Sequence, residues 1–148
     1  MPKGEQMKTY MPKLEEVKKN WYLIDVKGRI LGRVATQVAK LLMGKGKPEF
    51  CKHLDLGDYV IIINSDQVRL SGRKENQKEY FHHTGYPEGS RKISFSKYIK
   101  TKPEELFREA VKGMLPHNPL GRKMLSKLHV YRGQIHPHQA QRPVEIKL

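Results

Sequence analysis

The sequence has one cysteine, no long apolar run and few acidic residues. The lone Cys51 cannot form an internal disulfide, and such sparse cysteine usage is typical of a reducing compartment. No run approaches the roughly 18 apolar residues that a membrane-spanning helix needs. The first twenty residues are polar and lack the apolar centre of a signal peptide. We therefore expect a cytoplasmic protein that folds without disulfides and does not enter a membrane.

The shortage of acidic residues leaves a large positive charge. The 148 residues include 29 Lys and Arg against 15 Asp and Glu, which gives a net charge of +14. Basic residues outnumber acidic ones in residues 1–50, 51–100 and 101–148 alike. A membrane-surface protein more often concentrates its charge on one amphipathic helix. A distributed excess instead favours a partner rich in phosphate, because each neutralised phosphate releases condensed counterions. Nucleic acid is the predicted partner, with no small-molecule substrate.

The first half of the chain predicts a βαβ unit. Residues 1–20 read as an extended or partly ordered arm, and residues 21–148 as one domain with an extended C-terminal tail. Trp21 to Asp25 predicts a strand that ends in a turn at Lys27-Gly28. Apolar residues at helical spacing follow it, on the face Leu31, Val34, Ala35, Val38, Ala39 and Leu42. The apolar run Tyr59 to Asn64 then predicts a strand buried on both faces, as in a parallel sheet.

The second half is less regular. Two short strands are predicted, Gln67 to Leu70 and Glu79 to His83, with a polar turn between them. Turn residues at 84–89 predict a loop. Helices are predicted at Glu104 to Leu115 after Pro103 and at Leu120 to Leu128, followed by a strand at His129 to Tyr131 and a tail from Gly133 that runs extended over the surface.

Three features could suggest an enzyme, and each is weak. Gly28-x-x-x-Gly32 lacks the Gly-x-Gly-x-x-Gly spacing of dinucleotide sites and favours a tight turn with close helix–sheet packing. Gly44 to Pro48 follows a helix, whereas phosphate-binding loops precede one. The segment therefore predicts either a solvated helix cap or a flexible turn whose lysines reach backbone phosphates. Cys51 and the seven histidines do not have the spacing of a zinc site or a placed catalytic pair. No catalytic residue, metal or cofactor is predicted.

Two segments carry the mixture of cations, aromatic rings and amides that RNA-binding surfaces use. One spans residues 73–91, and its alternative is an exposed hairpin with solvated charges. The other spans residues 112–142. Together with cations near the first helix, the predicted RNA-binding residues are Arg33, Lys45, Lys47, Lys52, His53, Arg73, Lys74, Lys78, Tyr80, His82, His83, Tyr86, Arg91, Lys112, His117, Asn118, Arg122, Lys123, Lys127, Arg132, His136, His138 and Gln141.

Several motifs in order resemble a known family over roughly seven-eighths of the chain. They are Trp21-Tyr22-Leu23-Ile24-Asp25, Gly28 to Thr36, His53-x-Asp55-x-Gly57-Asp58, Tyr80 to Pro87, Ala110 to Pro116, Leu120-Gly121-Arg122, Val130-Tyr131-x-Gly133 and His136-Pro137-His138-x-Ala140-Gln141. The sequence resembles large-subunit ribosomal protein thirteen of the bacterial type. One departure is Glu88, where that family often has glycine, and we expect its carboxylate to turn away from RNA.

The resemblance implies a single three-layer α/β/α domain around a mostly parallel sheet, which agrees with the βαβ prediction. It also implies a structural, non-enzymatic protein of the large ribosomal subunit that binds large-subunit ribosomal RNA early in assembly. Neighbouring large-subunit ribosomal proteins would be its protein partners. Two other classes stay open: a nucleic-acid enzyme with metal on Asp55, Asp58 and Asp66, and a regulator that binds a messenger RNA away from the ribosome.

Overall fold

A computed structural model describes residues 11–13 and 17–147 of the chain. Most of the predicted arm at residues 1–20 lies outside the described residues. The described elements are β1 (Trp21–Asp25), α1 (Leu31–Met43), β2 (Tyr59–Ile63), α2 (Lys74–Gln77), β3 (Glu79–His83), β4 (Ser90–Ser94), α3 (Phe95–Thr101), α4 (Pro103–Lys112), α5 (Pro119–Ser126), β5 (Leu128–Val130) and β6 (Val144–Glu145). Two 3₁₀ turns occupy Ser65–Gln67 and His138–Gln141. None of the described helices is long and apolar enough to cross a membrane.

The central sheet has four parallel strands in the order β5-β2-β1-β6. In its centre β1 runs beside β2, with Leu23 opposite Ile61 and Ile24 opposite Ile62. The predicted βαβ unit and the α/β class around a mostly parallel sheet are thus confirmed. The strand Trp21–Asp25 has its predicted limits, whereas β2 ends one residue early because Asn64 adopts a left-handed conformation with φ 59°.

The two faces of this sheet are covered differently. Side chains alternate along a strand, so Ile24 and Ile62 share one face while Leu23, Ile61 and Ile63 share the other. The first face joins the main core with buried residues of α1, α3, α4 and α5. The second forms a smaller cluster with the half-buried Trp21 and Tyr131, against which the C-terminal 3₁₀ turn packs. The layer on this second face is therefore thin.

Helix α1 follows the predicted pattern closely. Its six buried residues are the six predicted from the apolar spacing, and Arg33, Gln37 and Lys40 are exposed. Gly44 ends the helix with φ 76°, a left-handed conformation that suits glycine. Gly28 likewise forms the predicted turn with φ 69°, but a Cβ on Gly32 would meet nothing within 4 Å. The expectation of close packing at Gly32 is therefore wrong.

The middle of the chain departs from the prediction. Gln67 to Leu70 is not a strand: Arg69 forms only an isolated bridge with Ile30. The partner of β3 is β4, which follows the loop at 84–89 and forms a two-stranded antiparallel sheet with it. The sequence predicts neither α3 nor β4, because Ser90 to Thr101 carries several cations and few apolar residues. Phe95 and Tyr98 pack in the main core, and Ile93 lies opposite Tyr80 in the hairpin.

The C-terminal elements are found near their predicted places with shifted ends. Helix α4 stops at Lys112, with Gly113 as its cap, instead of reaching Leu115. Helix α5 begins one residue early, at Pro119, because the side chain of Asn118 caps it. The tail is not wholly an extended surface segment, since β6 adds to the sheet beside β1 and the Ile146 amide donates to the Leu23 carbonyl at 2.9 Å.

Candidate nucleic-acid interface

The β3–β4 hairpin presents aromatic rings and cations to solvent. Its register sets Phe81 opposite Lys92 and His82 opposite Arg91. Phe81 is 62% exposed and Tyr86, in the connecting loop, is 76% exposed. Aromatic side chains that stay at the surface are available to contact a partner. The hairpin therefore offers ring faces for stacking next to cations that can neutralise phosphate.

Tyr80 anchors the base of this hairpin. Its ring is half-buried and meets the ring of Tyr98 edge-on, with 5.2 Å between centroids. The Lys78 ammonium lies 4.8 Å from the Tyr80 ring centroid, within reach of a cation–π interaction. Burial, together with the nearby Glu109 carboxylate, raises the pKa of Tyr98 to about 12, so that its hydroxyl stays protonated. Tyr80 is thus packed against other side chains of the protein, whereas the exposed Phe81 ring lies 6.3 Å from the ring of the likewise exposed His83.

The hairpin loop is held by backbone hydrogen bonds. The Thr84 amide donates to the Gly89 carbonyl at 3.0 Å, and the Gly89 amide donates to the Tyr86 carbonyl at 2.9 Å. The Gly85 amide donates to Nδ1 of His83 at 2.9 Å. Glu88 is exposed and has φ 61°, a left-handed conformation that costs an L-residue about 1–2 kcal/mol. Glycine would take this conformation without that cost.

The junction of α4 and α5 forms a second basic surface. Lys112 at the end of α4 and Arg122 in α5 border a cavity of about 180 Å³ floored by leucine side chains. Asn118 accepts a hydrogen bond from the Gly121 amide at 2.8 Å, which fixes the start of α5. A Cβ on Gly121 would lie 1.8 Å from the Pro116 carbonyl oxygen, so the loop lies directly against the helix. The junction is consequently rigid.

Lys127 lies inside the protein and not at the predicted interface. It is 3% exposed, and its ammonium donates to the carbonyls of Leu42 and Gly57 at 3.3 and 2.9 Å and also to the Asp55 carboxylate. A cation suits this place because carbonyls at the end of α1 carry partial negative charge. Burial lowers the pKa of Lys127, although the hydrogen bond with Asp55 opposes that effect.

Lys47 is likewise engaged internally. Its ammonium donates to the Lys18 carbonyl at 3.0 Å, to the Leu56 carbonyl at 3.0 Å and to Asp58 at 2.7 Å. Asp58 also accepts from the Asn20 amide at 2.8 Å. Lys47 therefore ties the residues before β1 to the loop between α1 and β2, and sequence reasoning missed this structural use.

The C-terminal histidines contact the aromatic face of the sheet. The Trp21 and Tyr59 rings stack with centroids 4.4 Å apart, and the His138 ring lies 5.2 Å from Trp21 and 4.6 Å from His129. His138 Nε2 and the Tyr131 hydroxyl are 2.7 Å apart, within hydrogen-bond distance. His138 thus holds the tail against the sheet. His136 is half-buried beside it, with a ring centroid distance of 6.5 Å.

The other predicted residues lie at the surface. Arg132 is exposed with its guanidinium 3.9 Å from Asp66. The remaining exposed ones are Arg33, Lys45, Lys52, His53, Arg73, Lys74, Lys78, His117, Asn118, Lys123 and Gln141. Sequence reasoning missed Lys92, which the strand register sets beside Phe81; the pattern that could have found it is the alternation in Ser90–Ser94.

The carboxylates considered for a metal-dependent enzyme have other partners. Asp55 pairs with Lys127 and, at 3.5 Å, with Lys19, while Asp58 pairs with Lys47. Over residues 11–13 and 17–147, no group of three or more His, Cys, Asp or Glu side chains is arranged to hold a metal ion. These aspartates neutralise lysines and fix loops.

Comparisons with known proteins agree with the family motifs of the sequence. The family model described as ribosomal protein L13 matches residues 19–137. The large ribosomal subunit protein uL13 of Dictyoglomus thermophilum is 54% identical over 142 residues, which cover 96% of this chain and 100% of that protein. The uL13 proteins of Azotobacter vinelandii and Moorella thermoacetica are 52% and 56% identical, over 96% and 93% of this chain and 100% and 95% of those proteins.

Proposed function

This chain belongs to the ribosomal protein L13 family, and on that premise we propose that it is a structural constituent of the large ribosomal subunit that binds large-subunit ribosomal RNA and supports early subunit assembly. It acts in the cytoplasm, beside neighbouring large-subunit ribosomal proteins. The proposal assigns it no catalysis and no cofactor.

The observation that carries the RNA-binding proposal is the β3–β4 hairpin. Phe81 and Tyr86 are exposed where Lys92 and Arg91 supply positive charge. Unpaired bases stack on such rings, and the cations neutralise the phosphates that accompany them. The charge of +14 spread along the chain supports additional phosphate contacts away from the hairpin. Ribosomal RNA is therefore held by several surfaces, mostly through backbone and shape.

We propose Arg122 and Lys112 as phosphate contacts and Phe81 as a stacking contact. Binding of a large-subunit ribosomal RNA fragment, measured over a series of salt concentrations, separates these roles. Arg122→Ala and Lys112→Ala should each lower the salt slope by about one, because one phosphate contact is lost. Phe81→Ala should weaken binding by about 1–3 kcal/mol, the range for one stacked base, and leave the slope unchanged.

The matched control is Lys97→Ala, which removes one exposed charge from α3 outside the predicted surfaces. Lys97→Ala should change neither the RNA affinity nor the salt slope beyond the small effect of one unit of net charge. Equal effects of Lys97→Ala and Arg122→Ala would contradict local phosphate contacts. Co-sedimentation of the wild-type protein with the large subunit through a high-salt wash tests the wider assignment, and loss from the subunit in that wash would contradict it.

A further inference from the structure

We propose that the cavity between α4 and α5 binds the base of one unstacked RNA nucleotide, whose phosphates pair with Lys112 and Arg122. This inference rests on the proposed function and adds to it the chemical class of the ligand at one site. The cavity measures about 180 Å³. That exceeds the roughly 10–15 Å³ that a cavity needs in order to hold one water molecule. It is therefore roomy enough for more than a phosphate oxygen or a single water.

The floor of the cavity is apolar. Leu115, which is 4% exposed, the half-buried Leu125 and Pro116 line it. An isolated phosphate would gain little from such a surface, because removing charge from water without polar partners is costly. A flat, weakly polar ring instead gains by covering it, as ligands do in pockets that combine apolar walls with a few polar groups.

The border of the cavity is cationic. Lys112, His117 and Arg122 line it, and none of the lining residues is acidic. All three side chains are exposed, and no ion pair within the described residues engages Lys112 or Arg122. An apolar floor inside a positive border is complementary to a group that is planar at one end and anionic at the other. A nucleotide has that combination.

The cavity is already formed in the protein without RNA. The Asn118 side chain caps α5 through the Gly121 amide, and Gly121 has no room for a Cβ against the Pro116 carbonyl. Leu115 and Gly121 are both buried. A preformed site loses little conformational entropy when the ligand enters, which favours binding of a single base. The hairpin differs from this cavity, because its exposed rings offer stacking that tolerates any base.

The test uses the full chain with labelled leucine methyl groups, followed by nuclear magnetic resonance. The probes are the tetraribonucleotides rA4 and rU4, the one abasic tetramer that keeps their riboses and phosphates, and inorganic phosphate. The intact tetramers should shift the Leu115 and Leu125 methyl signals, and the abasic tetramer should shift them at least threefold less. Equal shifts from intact and abasic probes would overturn the proposal, as would no shift of these methyls by any tetramer.

A cavity-filling variant gives an independent readout. Leu125→Trp, confirmed as folded by circular dichroism, should weaken rA4 binding at least fivefold, whereas Leu125→Met should bind like wild type. Unchanged rA4 affinity in a folded Leu125→Trp variant would overturn the base-binding site. If an acidic peptide shifts the leucine methyls more than either tetramer, the site takes protein and the proposal is wrong. If the protein binds ribosomal RNA tightly but no leucine methyl signal shifts, this site alone is refuted. If the protein neither binds ribosomal RNA nor shows methyl shifts, the proposed function is refuted as well.

Discussion

The parallel sheet and the β3–β4 hairpin use apolar side chains in opposite ways. In β2, Val60, Ile61 and Ile62 are fully buried between the helices and the aromatic cluster. In the hairpin, Phe81 is 62% exposed, and every residue of the same strand except the half-buried Tyr80 is exposed as well. Burial in the sheet stabilises the fold, while an exposed ring contributes little until a partner covers it. The first region therefore determines stability, and the second is suited to binding.

The largest expected contrast is between two phenylalanines. Phe107 in α4 is fully buried, so Phe107→Ala should lower the free energy of unfolding by about 3–5 kcal/mol. Phe81→Ala should change it by no more than about 0.5 kcal/mol, because the ring lies at the surface. Urea denaturation followed by circular dichroism measures both. A large loss of stability in Phe81→Ala would mean that the hairpin ring is structural and would remove the contrast.

The next largest contrast in stability is expected between the buried Lys127 and the exposed Lys123. Lys127→Met leaves the Asp55 carboxylate and the Leu42 and Gly57 carbonyls without their ammonium partner. Removing one member of a buried ion pair costs about 3–5 kcal/mol, and the long Met side chain retains some packing, so we expect the lower end. Lys123→Met, on the exposed side of α5, is the matched control and should be nearly neutral. Similar midpoints of thermal unfolding for both variants would contradict a structural Lys127.

A smaller effect is expected at Glu88, in the hairpin loop. Glu88→Gly should be more stable than Glu88→Ala by about 1 kcal/mol, since only glycine relieves the left-handed strain. Both variants remove the same carboxylate, so the effect of its charge on ribosomal RNA binding should be equal in the two. Denaturation and RNA titration of the same pair separate conformation from charge. Equal stability of the two variants would contradict strain at this position.

The smallest effect concerns pH and the aromatic face. Burial, with His138 and Arg108 nearby, lowers the pKa of His129 from its ordinary value of 6.5. As the pH falls, His129 is therefore protonated at a higher pH in the unfolded chain than in the folded protein. The free energy of unfolding should consequently decline below about pH 6.5. His129→Phe keeps a ring against Trp21 and should flatten the decline. His53 is exposed, so His53→Gln should leave the decline unchanged. If the decline persists unchanged in His129→Phe, another group causes it.

Some features of the candidate interface could be predicted from the sequence, and others could not. Exposure of His82, His83, Tyr86 and Arg91 followed from a polar segment with aromatic rings, and the structure places them together on one hairpin. The side chain of Lys127 has the same composition as that of Lys123, yet one is buried and the other exposed. That difference depends on Leu42, Asp55 and Gly57, which are 70 or more residues away in sequence. No local sequence pattern could therefore have predicted which of the two lysines is buried.

The sequence by itself determined the βαβ unit, because six apolar residues at helical spacing and a run of β-branched residues each admit one way to bury their surface. It also determined the positive charge and, through its motifs, the family. Only the tertiary structure decided which strand pairs with β3, which lysines face inward and how two leucines of the α4–α5 junction come to line one cavity. Those outcomes depend on contacts between residues that are distant along the chain, and periodicity carries no information about them.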